Sequence, residues 1–480
     1  MASAGGGTTS SGGTSSGGSG RGGNGSGGVS ATGGAHASGG AGGKGSGTGG
    51  SGGSSGSVGA AGTGATGGTT GSGICGGGTA QSSDVTIDEA SLQQKITGFG
   101  VSSAWAGSYR NASDADYLWS TTKGAGLSLL RIRYGDGLSI AKSAASFGVT
   151  VWLTPWGMGN NGATGGPYTT TQSNPNGCTG SMPVLSDATG WANTLVTYVQ
   201  NLKTQGVPLY AVSAENEPDS CGINQTTSYS DAQLATWITT LGPAMKALGV
   251  KVMGPETQNA CGFSKYFTAI KNSTAAWDAV DVFASHEYGC GTLPTQASIS
   301  AANKEYWETE VDTGKASSDS TGDGIASALL MASTMHNDLT KPNLNAWHLW
   351  WVYNASGNGG CLYDTTTNVW TKRLWVMGNY SRFVRPGWKR VGTSGTAPSG
   401  VLVSAYINPA NNALSIVAIN SNTSAKEVSF YISGNAPCSL TPYETSASKD
   451  LGAGSALSVA QSRVTVTLAA QSVTTLAGAP

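Results

Sequence analysis

Eight short apolar runs recur between positions 96 and 351, and stretches with helical spacing lie between several of them. That alternation confines the chain to a parallel sheet whose strands are joined by crossover helices. The runs are 96–100, 127–133, 150–154, 209–214, 251–254, 280–284, 305–310 and 345–351, with helical patterns such as 191–202 and 234–248 between them. Eight strand-helix units in about 250 residues fit a closed (β/α)8 TIM barrel. Beyond Val401 the texture changes to alternating runs at 401–407, 413–419, 427–432 and 463–468, parted by Asn, Gly and Ser, which reads as an antiparallel β-sandwich. Val85-Thr86-Ile87-Asp88 alternates like an edge strand. The expected partition is a disordered Gly/Ser/Thr-rich linker at 1–80, strand residues 81–95 joining the sandwich, a catalytic barrel at 96–385 and a side domain at 386–480.

The linker expectation is compositional. Of the 75 glycines, 36 fall in the first 80 positions, which contain no aromatic residue and no Asp or Glu, so that segment has nothing with which to build a core. Removing its Arg21 and Lys44 from the net charge of -1 leaves -3 on the remaining 400 residues, and only 11% of all residues are charged. Such a surface suits a neutral or weakly anionic polymer and lacks the basic stripes that nucleic acid requires. No apolar run approaches the roughly 20 residues needed to span a bilayer.

Seven cysteines (75, 178, 221, 261, 290, 361 and 438) form no C-x-x-C or His-spaced pattern, so disulfides are expected rather than a metal, and no cofactor is implied. Five of them, 178 to 361, fall near loops at one end of the expected barrel. The count is odd, and Cys75 in the linker is the natural candidate to stay unpaired. Linker, cysteines and substrate point to a secreted or cell-surface monomer, although Met1-Ala2-Ser3-Ala4-Gly5 has no signal-like basic and apolar stretch.

Two strand-like runs end in acid. Positions 209–214 lead into Glu215-Asn216-Glu217-Pro218, where the proline denies the ladder a donor and places Glu217 on a rim. Positions 305–310 end at Glu310. The two glutamates are 93 positions apart, or three units at roughly 31 residues per unit, which sets them across the barrel mouth. Retaining glycoside hydrolysis needs two carboxyls about 5 to 5.5 Å apart. Glu310 is the candidate nucleophile, Glu217 the acid/base, and Asn216 a partner for a sugar hydroxyl. Glu308, two residues earlier, competes with Glu310 and is expected on the same face one layer deeper; Glu215 is expected to be a hydrogen-bonded inner residue. Trp105, Trp156, Trp350 and Trp351 offer flat faces to sugar rings, with one of the last pair able to face the helices instead. His286 reads equally as a site residue or a core imidazole, and Glu256 after Pro255 is better explained by structural pairing.

Over positions 84–480 these residues resemble glycoside hydrolase family 30, specifically its bacterial xylanase branch. The resemblance rests on Gly98-Phe99-Gly100 with Ala104-Trp105-Ala106-Gly107, on Leu130-Arg131-Ile132, Thr154-Pro155-Trp156, 210–219 and 307–311, and on Ser381-Arg382-Phe383-Val384-Arg385-Pro386-Gly387. It implies a retaining hydrolase acting on β-1,4-xylan of plant cell walls, with Arg131 and Tyr288 bonding the nucleophile; for Arg131 a purely structural ion pair competes. Glucuronoxylanases of this branch carry arginines after the tryptophan pair of the eighth strand, whereas Val352-Tyr353-Asn354-Ala355 follow here. The loop 157–162 also departs from the family pattern. Cleavage without strict need of a glucuronate branch is therefore expected. Rival readings are a family 30 enzyme for β-1,6-glucan, β-1,6-galactan or glucosylceramide, a non-catalytic carbohydrate-binding surface protein, and a structural surface protein working through its Gly-rich head.

Overall fold

The computed structural model describes residues 74–157, 166–221, 226–354 and 359–478. The linker expected at 1–80 lies outside the described residues as far as 73. Strand β1 (Asp84–Lys95) precedes the barrel, whose first strands are β2 (Gly98–Ser102), β3 (Leu129–Arg133) and β4 (Thr150–Thr154). A hairpin of β5 (Thr169–Ser173) and β6 (Ser181–Leu185) interrupts before β7 (Leu209–Ser213), β8 (Lys251–Thr257), β9 (Val282–Ser285), β10 (Glu305–Glu308) and β11 (Ala346–Asn354). Parallel pairing runs from β2 through β3, β4, β7, β8, β9, β10 and β11, and β11 pairs back to β2, so the eight strands close. Each strand end falls within three residues of its sequence expectation, and β4 coincides with it. The helices Ala188–Thr204 and Asp231–Lys246 cover the two predicted helical stretches.

Alternation along each strand separates two cores. Leu129, Trp152, Ala211, Met253, Val282, Ala284, Trp307 and Ala346 fill the barrel interior, while a larger cluster lies between strands and helices. Gly100 in β2 is required by close approach, because a Cβ there would stand 2.5 Å from the His348 ring. That ring accepts a hydrogen bond from Trp152 Nε1 at 3.1 Å.

After a strand pair at the barrel edge, β12 (Cys361–Asp364) and β13 (Val369–Trp370), the second sheet begins. It contains β14 (Lys389–Ser394), β15 (Val401–Ile407), β16 (Leu414–Asn420), β17 (Lys426–Ser433), β18 (Ser439–Thr445), β21 (Arg463–Leu468) and β22 (Ser472–Gly478), with the two-residue β19 (Gly452–Ala453) and β20 (Leu457–Ser458) at its edge. β1 enters this curled sheet between β14 and β17, antiparallel to the first and parallel to the second. The helix Lys372–Ser381 ties barrel to sheet, where Asn379 Nδ2 donates to the Tyr443 carbonyl at 2.9 Å.

The cysteines correct one expectation. Cys75 is bonded to Cys438, and the unpaired thiol among the described residues is the buried Cys361. The reason is that residues 74–80 return along the sheet: Ile74 bridges Pro437, and the Cys75 amide donates to the Ala436 carbonyl at 2.9 Å. At the mouth end of the barrel Cys178–Cys221 joins two loop segments, and Cys261–Cys290 joins the first turn of the helix Ala260–Asn272 to a loop. No helix among the described residues is long and apolar enough to cross a membrane.

Candidate active site

The C-terminal ends of the barrel strands bring eight polar side chains together. Arg131 from β3 is fully buried and occupies the centre. Its Nε donates to Thr154 Oγ1 at 3.0 Å, Nη2 donates to Asn216 Oδ1 at 2.8 Å and to Glu256 Oε1 at 2.6 Å, and Nη1 donates to Glu310 Oε2. The Trp156 ring backs the guanidinium at 3.9 Å. Tyr288 Oη donates to the other oxygen of Glu310 at 2.8 Å. His286 stands 3.0 Å from Glu217 through Nδ1, and through Nε2 3.4 Å from Glu256 and 3.6 Å from Glu310. Carboxyl oxygens of Glu217 and Glu310 and a ring nitrogen of His286 lie within 4.8 Å of one another. Glu217 follows β7 and Glu310 follows β10, three strands further round the ring.

Several of these positions are held in unusual backbone geometry. Trp105, Trp156, Glu217 and Glu256 have φ of 60°, 52°, 44° and 55°. Side chains of these types pay about 1–2 kcal/mol per residue in the left-handed region, and such strain concentrates where surrounding structure fixes a functional group. The Glu217 amide donates to the Glu256 carbonyl at 2.9 Å, so the two strained turns brace each other.

The electrostatics follow from burial and crowding. Burial alone would raise the Glu256 carboxyl, but Arg131 and His286 outweigh it and hold the group below the usual carboxylate range. Burial alone would lower the His286 imidazole; the carboxyls of Glu310, Glu217 and Glu256 reverse this and bring it to about 10. Burial raises Glu310, opposed by the positive charges of His286 and Arg131. The same three residues, Glu217, His286 and Glu310, are close enough to resemble a metal donor set. All three are engaged with one another, and both oxygens of Glu310 already accept hydrogen bonds, one from Arg131 and one from Tyr288.

The aromatic wall differs in part from the sequence reading. A register irregularity between Leu349 and Trp351 in β11 puts Trp350 and Trp351 on the same side, with rings stacked 4.6 Å apart, so neither turns to the helices. Trp105, 40% exposed, meets Trp156, Trp350 and Trp351 edge-on at 5.5, 6.0 and 5.9 Å. Trp156 is only 1% exposed, so its face supports Arg131 and is not a platform open to sugar. The expectation that Glu308 lies beneath Glu310 inside the barrel is also not met. Trp307 fills the interior, and Glu308, its neighbour, faces the helix layer, where His348 N donates to it at 2.8 Å and burial pushes it well above the usual carboxylate range. The chain turns after β10, and only that turn brings Glu310 back to the mouth.

Glu215 is an inner residue that accepts from the Gly157 and Asn216 amides, each at 2.9 Å. Burial raises its carboxyl to about 8. Its folded-state proton affinity exceeds the ordinary value of 4.5, so its contribution is complete below about 4.5 and is lost as pH rises through about 8. Glu215→Gln, which keeps the accepting oxygen and mimics the protonated acid, is therefore expected to flatten the fall in Tm as pH rises through about 8. Parallel Tm profiles for parent and variant would refute this. Sequence reasoning named Thr154 only as part of a motif and gave it no role, and it expected Glu256 to be structurally paired, which agrees with its buried ion pair to Arg131 at 2.6 Å.

A closed parallel barrel with two glutamates facing each other at its mouth, and a curled antiparallel sheet at its side, is the build of a glycoside hydrolase. Residues 387–476 match the glycosyl hydrolase family 30 beta sandwich domain. The chain is 28% identical over 408 residues to glucuronoxylanase XynC of Bacillus subtilis (strain 168), covering 82% of this chain and 91% of the relative. Among solved structures it is similar to a GH30 endoxylanase from Clostridium papyrosolvens C71 (29% identity, TM-score 0.70) and to the family 30 subfamily 8 xylanase Xyn30A from Clostridium acetobutylicum (29%, TM-score 0.71), each covering 83% of this chain and 100% of the other. These matches support a place in glycoside hydrolase family 30, on its xylanase branch.

Proposed function

We propose that this enzyme is an endo-acting, retaining hydrolase of β-1,4-xylan. Glu310 attacks the anomeric carbon while protonated Glu217 gives its proton to the leaving oxygen; Glu217 then takes a proton from water, which opens the glycosyl-enzyme with net retention. The observation that carries this reading is the separation of at most 4.8 Å between oxygens of Glu217 and Glu310. It falls on the retaining side, since inverting enzymes keep their carboxyls about 6.5–9.5 Å apart to admit a water. Tyr288 and Arg131 orient the nucleophile, His286 orients Glu217, and Asn216, fixed through its Oδ1 by Arg131, offers its amide NH2 to a sugar hydroxyl. Trp105, Trp350 and Trp351 form the wall for the sugar rings.

The branch preference comes from β11. A glucuronate carboxylate is gripped best by a guanidinium fork, and Val352, Tyr353 and Asn354 supply none. Tyr353 Oη instead donates to Asp114 at 2.5 Å. Ala355 and most of the loop 157–162 lie outside the described residues. Cleavage of xylan without strict need of glucuronate branches follows. Export to an oxidising compartment, supported by three disulfides, and action as a monomer complete the proposal.

Product analysis tests it. Unbranched xylan and glucuronoxylan should be cut at comparable rates, with products of β configuration appearing first by NMR. Products ending at a fixed distance from each glucuronate would overturn the branch reading, initial α products would overturn retention, and activity on β-1,6-glucan without activity on xylan would overturn the substrate.

A further inference from the structure

The outer wall of the barrel carries a second feature suited to sugar. Between the end of β3 and the helix Ala188–Thr204 lies a trough of about 390 Å³, whose rings are Tyr134, Tyr168 and Tyr198 and whose rim includes Asn193, Thr197 and Asn201. The rings are held in place: Tyr134 and Tyr198 meet at 4.5 Å, and Tyr134 and Tyr168 both pack on Trp191, at 5.3 and 5.6 Å. Two hydroxyls are already engaged, with Tyr198 Oη accepting from the Gly135 amide at 3.0 Å and Tyr168 Oη 2.5 Å from Thr194 Oγ1. All three tyrosines remain partly exposed.

The rim residues are exposed and stand at i, i+4 and i+8 on one helix face, a row of amide, hydroxyl and amide beside a row of rings, with the Thr197 hydroxyl donating to the Asn193 carbonyl at 3.0 Å and Asn201 Oδ1 accepting from Gln205 Nε2 at 2.9 Å. Among the described residues no charged side chain lines this trough. A pyranose ring has an apolar C–H face and a rim of hydroxyls, so aromatic faces flanked by neutral donors and acceptors match it. A phosphate or an acidic polymer would find no cation.

The trough is also connected to the cleft. A second hollow of about 360 Å³ shares Tyr198 and Asn201 with it and extends to Gly107 and Asp136. Asp136 Oδ2 accepts from the Trp105 amide at 2.6 Å, so the wall of the hollow is fixed to the exposed ring at the cleft. From Asn193 to Gln205 the helix rises about 18 Å, room for several sugar rings in line.

We propose that this groove is a second saccharide-binding site, which holds a neutral β-linked polysaccharide strand beside the active cleft. It rests on the glycanase reading above, with xylan as the ligand.

The test is native electrophoresis in gels containing soluble xylan, with every protein carrying Glu310→Gln so that the polymer survives. Tyr198→Ala and the double change Asn193→Glu/Asn201→Glu are each expected to weaken retardation about five- to tenfold, the scale of losing one aromatic contact or its polar rim. In the active background the same changes should leave kcat/KM on short xylo-oligosaccharides unaltered while slowing hydrolysis of insoluble xylan. The double variant alters exposed positions only, so it decides the matter where Tyr198→Ala fails to fold. Retardation of the double variant equal to that of the parent overturns the site. If the active parent leaves xylan intact, the proposed function fails independently, and the groove is judged by the same comparison on the polysaccharide that the parent does cleave.

Discussion

Glu310→Gln is expected to reduce xylan hydrolysis by about 10⁴- to 10⁶-fold, the range seen when a covalent nucleophile is removed from a hydrolase, while circular dichroism shows the fold retained. Glu217 and Glu310 are then separable by their chemistry. Glu217→Ala lacks the acid but keeps the nucleophile, so a xyloside with an activated leaving group still forms the glycosyl-enzyme, and the second step stalls for want of a base. Azide needs no base, and added azide should restore turnover of that variant and yield the β-glycosyl azide. Glu310→Ala with azide should yield the α-azide, because the anion then replaces the nucleophile in a single displacement. Mass spectrometry and NMR of the two products read the assignment directly. Exchanged anomers would reverse the roles of the two acids, and unimpaired hydrolysis in either variant would remove that residue from the mechanism.

The fold was largely legible because its signal is periodic. The eight apolar runs locate the eight strands, whereas β7 ends at Ser213, earlier than Pro218 alone implies. Roles that depend on a local break in the period were not legible. Glu308 and Glu310 share a face only if the strand continues, and it stops at 308. Trp350 and Trp351 should point opposite ways on a regular strand, but an irregularity in β11 brings their rings into one stack. Disulfide pairing likewise depends on where a tail returns: Cys75 and Cys438 are 363 positions apart, and nothing local relates them. Arg131 was read as a partner of the nucleophile or of a structural ion pair, and Glu256 as structurally paired, but nothing in the sequence related the two to each other. Their meaning lies in converging from two strands on Glu310, Asn216 and His286, a relation that exists only once the barrel closes.

That convergence gives Arg131 the second large effect. Its guanidinium serves Thr154, Asn216, Glu256 and Glu310 at once, and both it and Glu256 are fully buried. Arg131→Met leaves two buried carboxylates with one fewer cation, and removing one partner of a buried ion pair typically destabilises by about 3–5 kcal/mol. Tm should fall clearly, and kcat should drop by at least about 10²-fold as the nucleophile loses its orientation. Arg131→Lys keeps the charge without the planar fork, so it should recover part of the stability and little of the activity. The double variant Arg131→Met/Glu256→Gln separates the two functions. Neutralising Glu256 removes the carboxylate that most needs the guanidinium, so Tm should rise above that of Arg131→Met alone, a coupling that a double-mutant cycle measures. Activity should stay low, because Glu310 and Asn216 still lack their donor. Recovery of kcat in the double variant would mean that Arg131 acts only by neutralising Glu256; a Tm no higher than in the single variant would mean that the Arg131–Glu256 pair contributes no stability of its own.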